Sequence, residues 1–263
     1  MSVSRKSSIT RACRLLEINK SYFYYVHKRD DSQVIECIRQ MATFDDGFWK
    51  IYTKIRKAGH IWNHKKVYRV YRQIHFNKRV RLKKRLPARI KQPLSAPGEP
   101  NVTWSMDFVT DTLTSNRSFR VLNIIDDYNR EAIGQETSLS MPSKRVTRIL
   151  EKVIWIHGKP QNIRVDNGTE FTSGDFREWC EGNGINILYT QPGKPTQNSY
   201  IERFNGSYRR AVLDAYLFRT LEDVREITSQ WMDEYNNNRP HEALGDMSPI
   251  EYKQEQMELL EKI

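Results

Sequence analysis

Three acidic residues lie beside apolar residues, a setting in which a carboxylate is unusual unless it has a specific role. Asp107 lies in Trp-Ser-Met-Asp-Phe-Val, Asp166 in Val-Asp-Asn-Gly-Thr-Glu, and Glu202 in Ile-Glu-Arg-Phe-Asn. Several carboxylates together are the ligands of a hard divalent cation such as Mg²⁺, which binds oxygen and phosphate groups. Two such ions about 3.5–4 Å apart stabilise both the attacking and the leaving oxygen of a phosphoryl displacement. The sequence therefore predicts these three residues as catalytic metal ligands.

Two of the three carboxylates have an ordinary structural interpretation when each is taken alone. Asp166 suits the turn that Asp-Asn-Gly forms, and Glu202 fits a charge on a helix surface. Asp107 lacks such an explanation, because Asp disfavours strands. Asp126 and Asp127 end a predicted strand, and we interpret Asp126 as structural.

The sequence motifs around the three acidic residues resemble those of a known family. Thirty-five residues separate Asp166 from Glu202, and Glu202 follows Tyr-Thr-Gln-Pro-Gly-Lys-Pro at 189–195. Downstream lies Tyr-Asn-Asn-Asn-Arg-Pro-His at 235–241, then Leu-Gly and Ser-Pro. Over nearly the whole chain, this pattern resembles the retroviral-integrase-like transposase core, above all the second-frame (OrfB-type) transposases of bacterial insertion sequences.

The resemblance implies an α/β fold of the ribonuclease-H-like integrase-core class, preceded by a small all-α region of helix-turn-helix type. It implies metal-dependent DNA cleavage and strand transfer, with two Mg²⁺ ions for which Mn²⁺ can substitute. The implied partners are double-stranded DNA at transposon ends and target, a homo-oligomer on that DNA, and an upstream-frame transposase protein. The implied location is the bacterial cytoplasm, at the nucleoid. A DNA-binding regulator that has lost catalysis and a structure-selective nuclease on the same fold are the alternatives.

The charge is divided unevenly along the chain. Residues 1–100 contain 24 Lys and Arg against 7 Asp and Glu, a net charge of +17, whereas residues 101–263 contain 19 against 25, or −6. The first part is suited to neutralising phosphates and releasing counterions. No apolar run is long enough to span a membrane. The three cysteines form no zinc pattern and are predicted as reduced thiols.

Residues 1–76 are predicted to form the helical DNA-binding region. Ser8 is a candidate N-cap for a helix from Ile9 to Leu16, and a second short helix is predicted from Lys20 to Tyr25. A third is predicted from Phe48 to Ala58, with Gly59 just after its end.

Asn63 is the predicted N-cap of the next helix, on which positions 67, 70, 71 and 74 follow the helical period. Its other faces carry the basic residues predicted to bind DNA, namely Lys65, Lys66, Arg69 and Arg72.

Residues 77–98 are predicted as an extended linker. Eight basic residues lie between 77 and 91, and the prolines that follow closely lack an amide donor and fix φ. Such a segment is suited to lie along a phosphate backbone. Its predicted DNA-binding residues are Lys83, Lys84 and Arg85.

Residues 99–263 are predicted to be the catalytic core with C-terminal helices. Strands are expected around 104–108, 119–125, 131–137, 163–165 and 185–189, and helices around 146–154 and 176–180. Asp107 should project from the strand face opposite Trp104, Met106 and Phe108.

Further residues near the acids are predicted to assist. Arg209 lies about two helical turns beyond Glu202 on the same face, at a position where the family often carries a basic residue that contacts the transposon end. Arg203 and Arg210 are further candidates for DNA binding, and Asn167 is a candidate for orienting water or phosphate. The absence of a glycine-rich phosphate loop argues against ATP dependence.

Overall fold

The computed structural model describes residues 9–24, 30–43, 46–77, 94, 96–191 and 195–261. The predicted N-cap Ser8, Tyr25, most of the predicted linker and the basic residues Lys83, Lys84 and Arg85 lie outside these ranges. No helix in the described part of the chain is both long and apolar enough to cross a membrane.

The N-terminal unit is helical, as predicted. Its helices are α1 (Ile9–Leu15), α2 (Lys20–Phe23), α3 (Ser32–Met41), α4 (Phe48–Lys57) and α5 (His64–Gln73). The last three pack around one apolar cluster, whose fully buried members include Val34, Ile38, Ile51, Ile55, Val67 and Val70. Helix α3, which the sequence pattern did not reveal, supplies the first two of these side chains.

Two of the predicted helix signals of this unit, Asn63 and Gly59, are confirmed. The Asn63 side chain caps α5 by accepting a hydrogen bond from the Lys65 amide at 2.9 Å. After α4, Gly59 adopts a φ of +89°, in the left-handed region that a glycine enters at little cost. The three cysteines are free and buried.

A five-stranded mixed sheet forms the centre of the second part of the chain. Its strands are β1 (Thr103–Thr112), β2 (Ser118–Asp126), β3 (Ala132–Ser138), β4 (Asn162–Val165) and β5 (Asn186–Tyr189), in the order β3-β2-β1-β4-β5. Strands β1, β2 and β3 are antiparallel neighbours, whereas β4 pairs in parallel with both β1 and β5. This α/β arrangement confirms the predicted succession of strands and helices.

Helices cover both faces of the sheet. The helices are α6 (Ser143–His157), α7 (Thr169–Thr172), α8 (Gly174–Gly182), α9 (Ser199–Tyr208), α10 (Leu221–Asn237) and α11 (Pro249–Glu261). Trp104 and Met106 of β1 pack towards α6 and α8, while α9 and α10 bury Ile201, Phe204 and Tyr235 on the other face. Because side chains alternate along a strand, Asp107 faces α9.

Ion pairs link the N-terminal unit to the C-terminal helices. On α4, Lys54 Nζ lies 3.0 Å from Asp46 and 2.5 Å from Glu234 of α10. One turn later, Lys57 pairs with Glu251 of α11. These lysines are therefore occupied within the fold.

The apolar cluster of the N-terminal unit predicts a stability effect. Replacing fully buried Ile55 by Ala should lower the free energy of unfolding by about 2–5 kcal/mol, because apolar burial is lost and a cavity remains. Urea unfolding followed by far-ultraviolet circular dichroism would measure it. Arg56→Ala, one residue along and exposed, should change it by no more than about 0.5 kcal/mol. Equal effects of the two substitutions would contradict the packing described for α4.

Candidate active site

The three predicted carboxylates come from three neighbouring elements. Asp107 lies within β1, Asp166 directly follows β4, and Glu202 lies in the first turn of α9. Strands β1 and β4 pair in parallel with Ser105 opposite Arg164. Continuing that register by two residues sets Asp107 beside Asp166, and α9 crosses the same face of the sheet.

Asp107 is held by two hydrogen bonds. Its Oδ1 accepts from the Phe108 amide at 2.8 Å, and its Oδ2 accepts from Asn205 Nδ2 at 2.8 Å. Asn205 lies one turn after Glu202 on α9. The helix that carries one candidate ligand therefore also orients another.

The electrostatics of Asp107 show that the three acids interact. The pKa of Asp107 is raised to about 6, chiefly by burial and to a smaller extent by the charges of Asp166 and Glu202, while its two hydrogen bonds lower it. Asp166 and Glu202 are themselves exposed. Like charges near a buried carboxylate favour either a proton or a cation at that carboxylate.

The chemistry of these side chains fits a hard divalent cation, because all three offer carboxylate oxygen. Among the residues that the structure describes, however, no three His, Cys, Asp or Glu side chains are grouped closely enough to hold a metal ion. The carboxylates thus share one region of negative potential without forming a closed ligand set. Residues 192–194, just before α9, lie outside the described ranges.

A row of hydrogen-bonded amide side chains ends at Asp107 and orients its carboxylate. Asp107, Asn123 and Gln135 are direct cross-strand partners on β1, β2 and β3. Gln135 Nε2 donates to Asn123 Oδ1 at 2.7 Å, and Asn123 Nδ2 donates to Asn205 Oδ1 at 2.6 Å. Since Asn205 then donates to Asp107, every amide in the row points its donor towards the carboxylate. This arrangement fixes the orientation of each amide.

Asp166 and Asn167 organise the turn after β4. Asp166 Oδ1 accepts from the Gly168 amide at 2.9 Å, as its turn interpretation expected. A Cβ at Gly168 would lie 2.9 Å from the same oxygen, so the absence of a side chain there leaves room for the carboxylate. Asn167 Nδ2 donates to the Thr190 carbonyl at 3.0 Å, which ties this turn to the loop before α9.

Other nearby acids are occupied. Asp126 accepts from the amides of Asn101 and Tyr128 at 2.8 and 2.9 Å, in accord with its structural interpretation. Asp127 pairs with Arg164. Glu170 pairs with Arg120, whose hydrogen bond lowers the pKa of Glu170 although burial opposes it. These contacts distinguish Asp126, Asp127 and Glu170 from the three candidate ligands.

The predicted DNA-binding residues of α5 differ in their surroundings. Lys65 and Arg72 are exposed and line an open groove of about 810 Å³ with Phe48, Trp49 and Tyr68. Arg69 also lines this groove but forms a two-pronged ion pair with Asp31, both distances being 2.9 Å. Lys66 Nζ lies 6.0 Å from the centre of the Trp62 ring.

The basic residues after Glu202 also differ in their exposure and contacts. Arg203 and Arg210 are exposed, and Arg210 Nη2 donates to Ser207 Oγ at 3.3 Å. At Arg209 the helix becomes a π-helical segment, Arg209–Leu213. Between Glu202 and Arg209 the helix is regular, since the Arg209 amide still donates to the Asn205 carbonyl, and Arg209 Nη2 donates to the Thr110 carbonyl at 3.0 Å.

Sequence reasoning missed the amide row. Asn205 stood in the quoted motif without a role, and its position one turn after Glu202 was the signal that could have found it. Asn123 and Gln135 carry no such signal, because their contact depends on strand register.

Comparisons with known proteins agree with this architecture. Residues 97–195 and 183–249 each match a family described as integrase core domain. A 31.7 kDa protein of insertion element IS407 from Burkholderia multivorans is 34% identical over 248 residues, which cover 92% of this chain and 89% of that protein. A putative transposase for insertion sequence element IS986/IS6110 from Mycobacterium tuberculosis is 26% identical over 63% of this chain and 62% of its own length.

A solved structure shares the fold. A chain in the cryo-electron microscopy structure of the simian T-cell lymphotropic virus intasome, in complex with the PP2A regulatory subunit B56 gamma, superposes with a TM-score of 0.52. The match covers 82% of this chain and 73% of that chain at 15% identity. At that identity the likeness concerns the fold alone.

The contact between Asn205 and Asp107 predicts an effect on cation binding. Asn205→Ala removes the donor to Asp107 and leaves Asn123 Nδ2 without its acceptor. We expect Mg²⁺ affinity to fall about 10–100-fold, as is usual when a residue behind a metal ligand is lost. The Mg²⁺ dependence of the thermal midpoint would measure it. Asn237→Ala, which removes only bonds to Asp233 on α10, is the control. An unchanged affinity in Asn205→Ala would refute the proposed support.

Proposed function

Because the chain belongs to the family of bacterial insertion-sequence transposases with an integrase-type core, we propose that Asp107, Asp166 and Glu202 are its catalytic carboxylates. The chain is a transposase, a polynucleotidyl transferase that acts in transposition of an insertion sequence. The observation that carries the residue assignment is the raised pKa of Asp107, to which burial and then the charges of both other acids contribute.

The reaction consists of two phosphoryl transfers on DNA. In the first, water attacks the phosphorus at the element's end, and the 3′ oxygen leaves as a hydroxyl. In the second, that 3′-hydroxyl attacks a target phosphorus and displaces another 3′ oxygen, with no covalent bond to the protein. Divalent cations, two Mg²⁺ or Mn²⁺ ions in our proposal, would supply a stronger nucleophile and offset the charge that develops on the phosphate.

The residues of this chain prepare the site for that chemistry. The amide row orients Asp107 without adding charge, so the negative potential of the site is preserved. The Gly168 amide holds Asp166 at the end of β4. Glu202 lies exposed in the first turn of α9, on the side of the sheet that Asp107 faces.

We also propose that the groove between α4 and α5 contacts duplex DNA at the transposon ends. Trp49 and Tyr68 are 65% and 46% exposed there, beside Lys65 and Arg72. Aromatic rings next to cations are suited to a nucleic-acid surface. Arg69 is assigned to holding α5 against Asp31 instead. Target DNA, a homo-oligomer on DNA and an upstream-frame protein stay predictions of the family resemblance.

The carboxylate assignment predicts loss of chemistry without loss of binding. Asp107→Asn, Asp166→Asn and Glu202→Gln should each abolish cleavage and strand transfer with Mg²⁺, while the affinity for an end duplex stays within about threefold, since DNA contacts lie elsewhere. Gel-resolved strand transfer and fluorescence anisotropy would measure the two properties. Asp175→Asn, an exposed acid on α8, should stay active. A variant of the three that retains near-normal strand transfer would remove that residue from the assignment.

The groove assignment predicts a change in salt dependence. Replacing Lys65 and Arg72 together by Gln should reduce the slope of log affinity against log salt by about 2, because about 0.9 is lost per phosphate contact. Anisotropy titrations of an end duplex over a range of salt concentrations would show it. The matched control replaces Lys144 and Arg148 of α6, also exposed, and should leave the slope unchanged. Identical slopes in both double variants would rule the groove out as a DNA contact.

A further inference from the structure

A second cavity lies beside α9, away from the carboxylates. Its volume is about 520 Å³, and four parts of the chain line it: α4, the turn between β2 and β3, α9, and the end of α10 with the segment that follows it. Each contributes one cation, respectively Lys50, Arg130, Arg203 and Arg239. The cavity therefore joins the N-terminal helical unit to the catalytic core.

The charge of the cavity is strongly positive. Of the described residues that line it, four are cationic and one, the exposed Glu242, is acidic. Arg130 and Arg203 form no ion pair with a carboxylate among the described residues. Because Arg130 and Arg203 lie in this positive cavity without a carboxylate partner in the described part of the chain, they favour an anion from outside.

Two buried polar atoms at the cavity lack a partner. Arg130 Nη1 and His241 Nε2 are both inaccessible to solvent and make no hydrogen bond within the described part of the chain. Burial and the charges of Arg239 and Lys50 lower the pKa of His241 to about 3, so its ring is neutral at physiological pH. A buried polar atom without a partner is costly, and a ligand that supplies the partner removes that cost.

The backbone and ring contacts of Arg130 place its side chain at this spot. Its φ is +65°, a left-handed conformation that residues other than Gly, Asn and Asp rarely adopt. The guanidinium carbon lies 3.5 Å from the centre of the Tyr200 ring on α9. A glycine would suit the turn better, so the arginine is kept at a conformational cost. Strain of this kind is characteristic of functional positions.

We propose that this cavity binds a backbone phosphate of the DNA on which the transposase acts, an inference that rests on the proposed function. Arginine matches the geometry of phosphate oxygens, and Arg130 offers an unpaired donor. On α9, positions 200, 203 and 207 lie about 100–160° around the helix from Glu202. A DNA backbone held there lies on a different face of α9 from Glu202, so these residues position DNA and do not act on the scissile bond.

The test measures DNA binding rather than chemistry. In the whole 263-residue chain with EDTA, Arg130→Gln should weaken binding of an end duplex about 3–30-fold and reduce the salt slope by about 1, the loss of one phosphate contact. Arg203→Gln should act in the same direction, and Arg130→Lys should restore the slope. Arg148→Gln on α6 is the matched control and should change neither value. Thermal midpoints would show that each variant is folded.

A neutral phosphate analogue locates the contact on the DNA. End duplexes that carry a single methylphosphonate at successive positions should reveal one position that weakens binding of the parent protein but not of Arg130→Gln. Absence of such a position, or unchanged slopes in Arg130→Gln and Arg203→Gln, would overturn the proposal. So would stabilisation of the parent alone by inorganic phosphate together with unchanged DNA slopes, because the cavity would then bind free anions.

The outcome is independent of the catalytic assignment. Strand transfer by the carboxylate variants tests the proposed function, whereas the salt slope in EDTA tests the cavity. If Arg130→Gln reduces the salt slope while Asp166→Asn stays active in strand transfer, the phosphate site is supported and the catalytic assignment is refuted. If Arg130→Gln leaves the slope unchanged while Asp166→Asn is inactive, the catalytic assignment is supported and the phosphate site is refuted.

Discussion

The burial of the Asp107 carboxylate beside two other acids is the constraint on which the candidate site depends. Asp107 lies in a partly buried strand where burial and two neighbouring negative charges raise its pKa to about 6. Such a site is stable only if surrounding groups hold the side chains without neutralising them. The amide row does this, because Gln135, Asn123 and Asn205 donate in sequence towards Asp107 and carry no charge. An arginine in the same place would pair with Asp107 and compete with a cation.

Helix α9 connects the parts of the molecule that must act together. Ile201 and Phe204 anchor it in the core, Glu202 and Asn205 face the carboxylates, and Arg203 lines the cationic cavity. The helical period of 3.6 residues places these side chains on different faces of one rigid element. Movement of α9 would therefore change the distance between Glu202 and the other acids and the shape of the cavity together. This is a physical route by which bound DNA would affect assembly of the catalytic site.

Positive charge in this chain serves more than one purpose. Lys54 joins α4 to α10 by pairing with Asp46 and Glu234, and Arg69 fixes α5 to Asp31. The cations that we propose to contact a nucleic acid are the solvent-facing Lys65 and Arg72 and, at the cavity, Arg130 and Arg203. A count of basic residues overstates the DNA-binding surface, since partly buried ion pairs consume a share of them.

The sequence by itself determined the candidate acids, the family, and most strands and helices, because alternation, capping and short motifs are local properties. Asn63 as a helix cap and Asp107 on the face opposite Trp104 needed no knowledge of distant contacts. Only the tertiary structure decided which groups meet. The amide row depends on the register of three strands, the pairing of Arg69 with Asp31 joins residues 38 positions apart, and the cavity needs four separate segments. Such contacts are set by packing across the fold, which leaves no periodic trace in the chain.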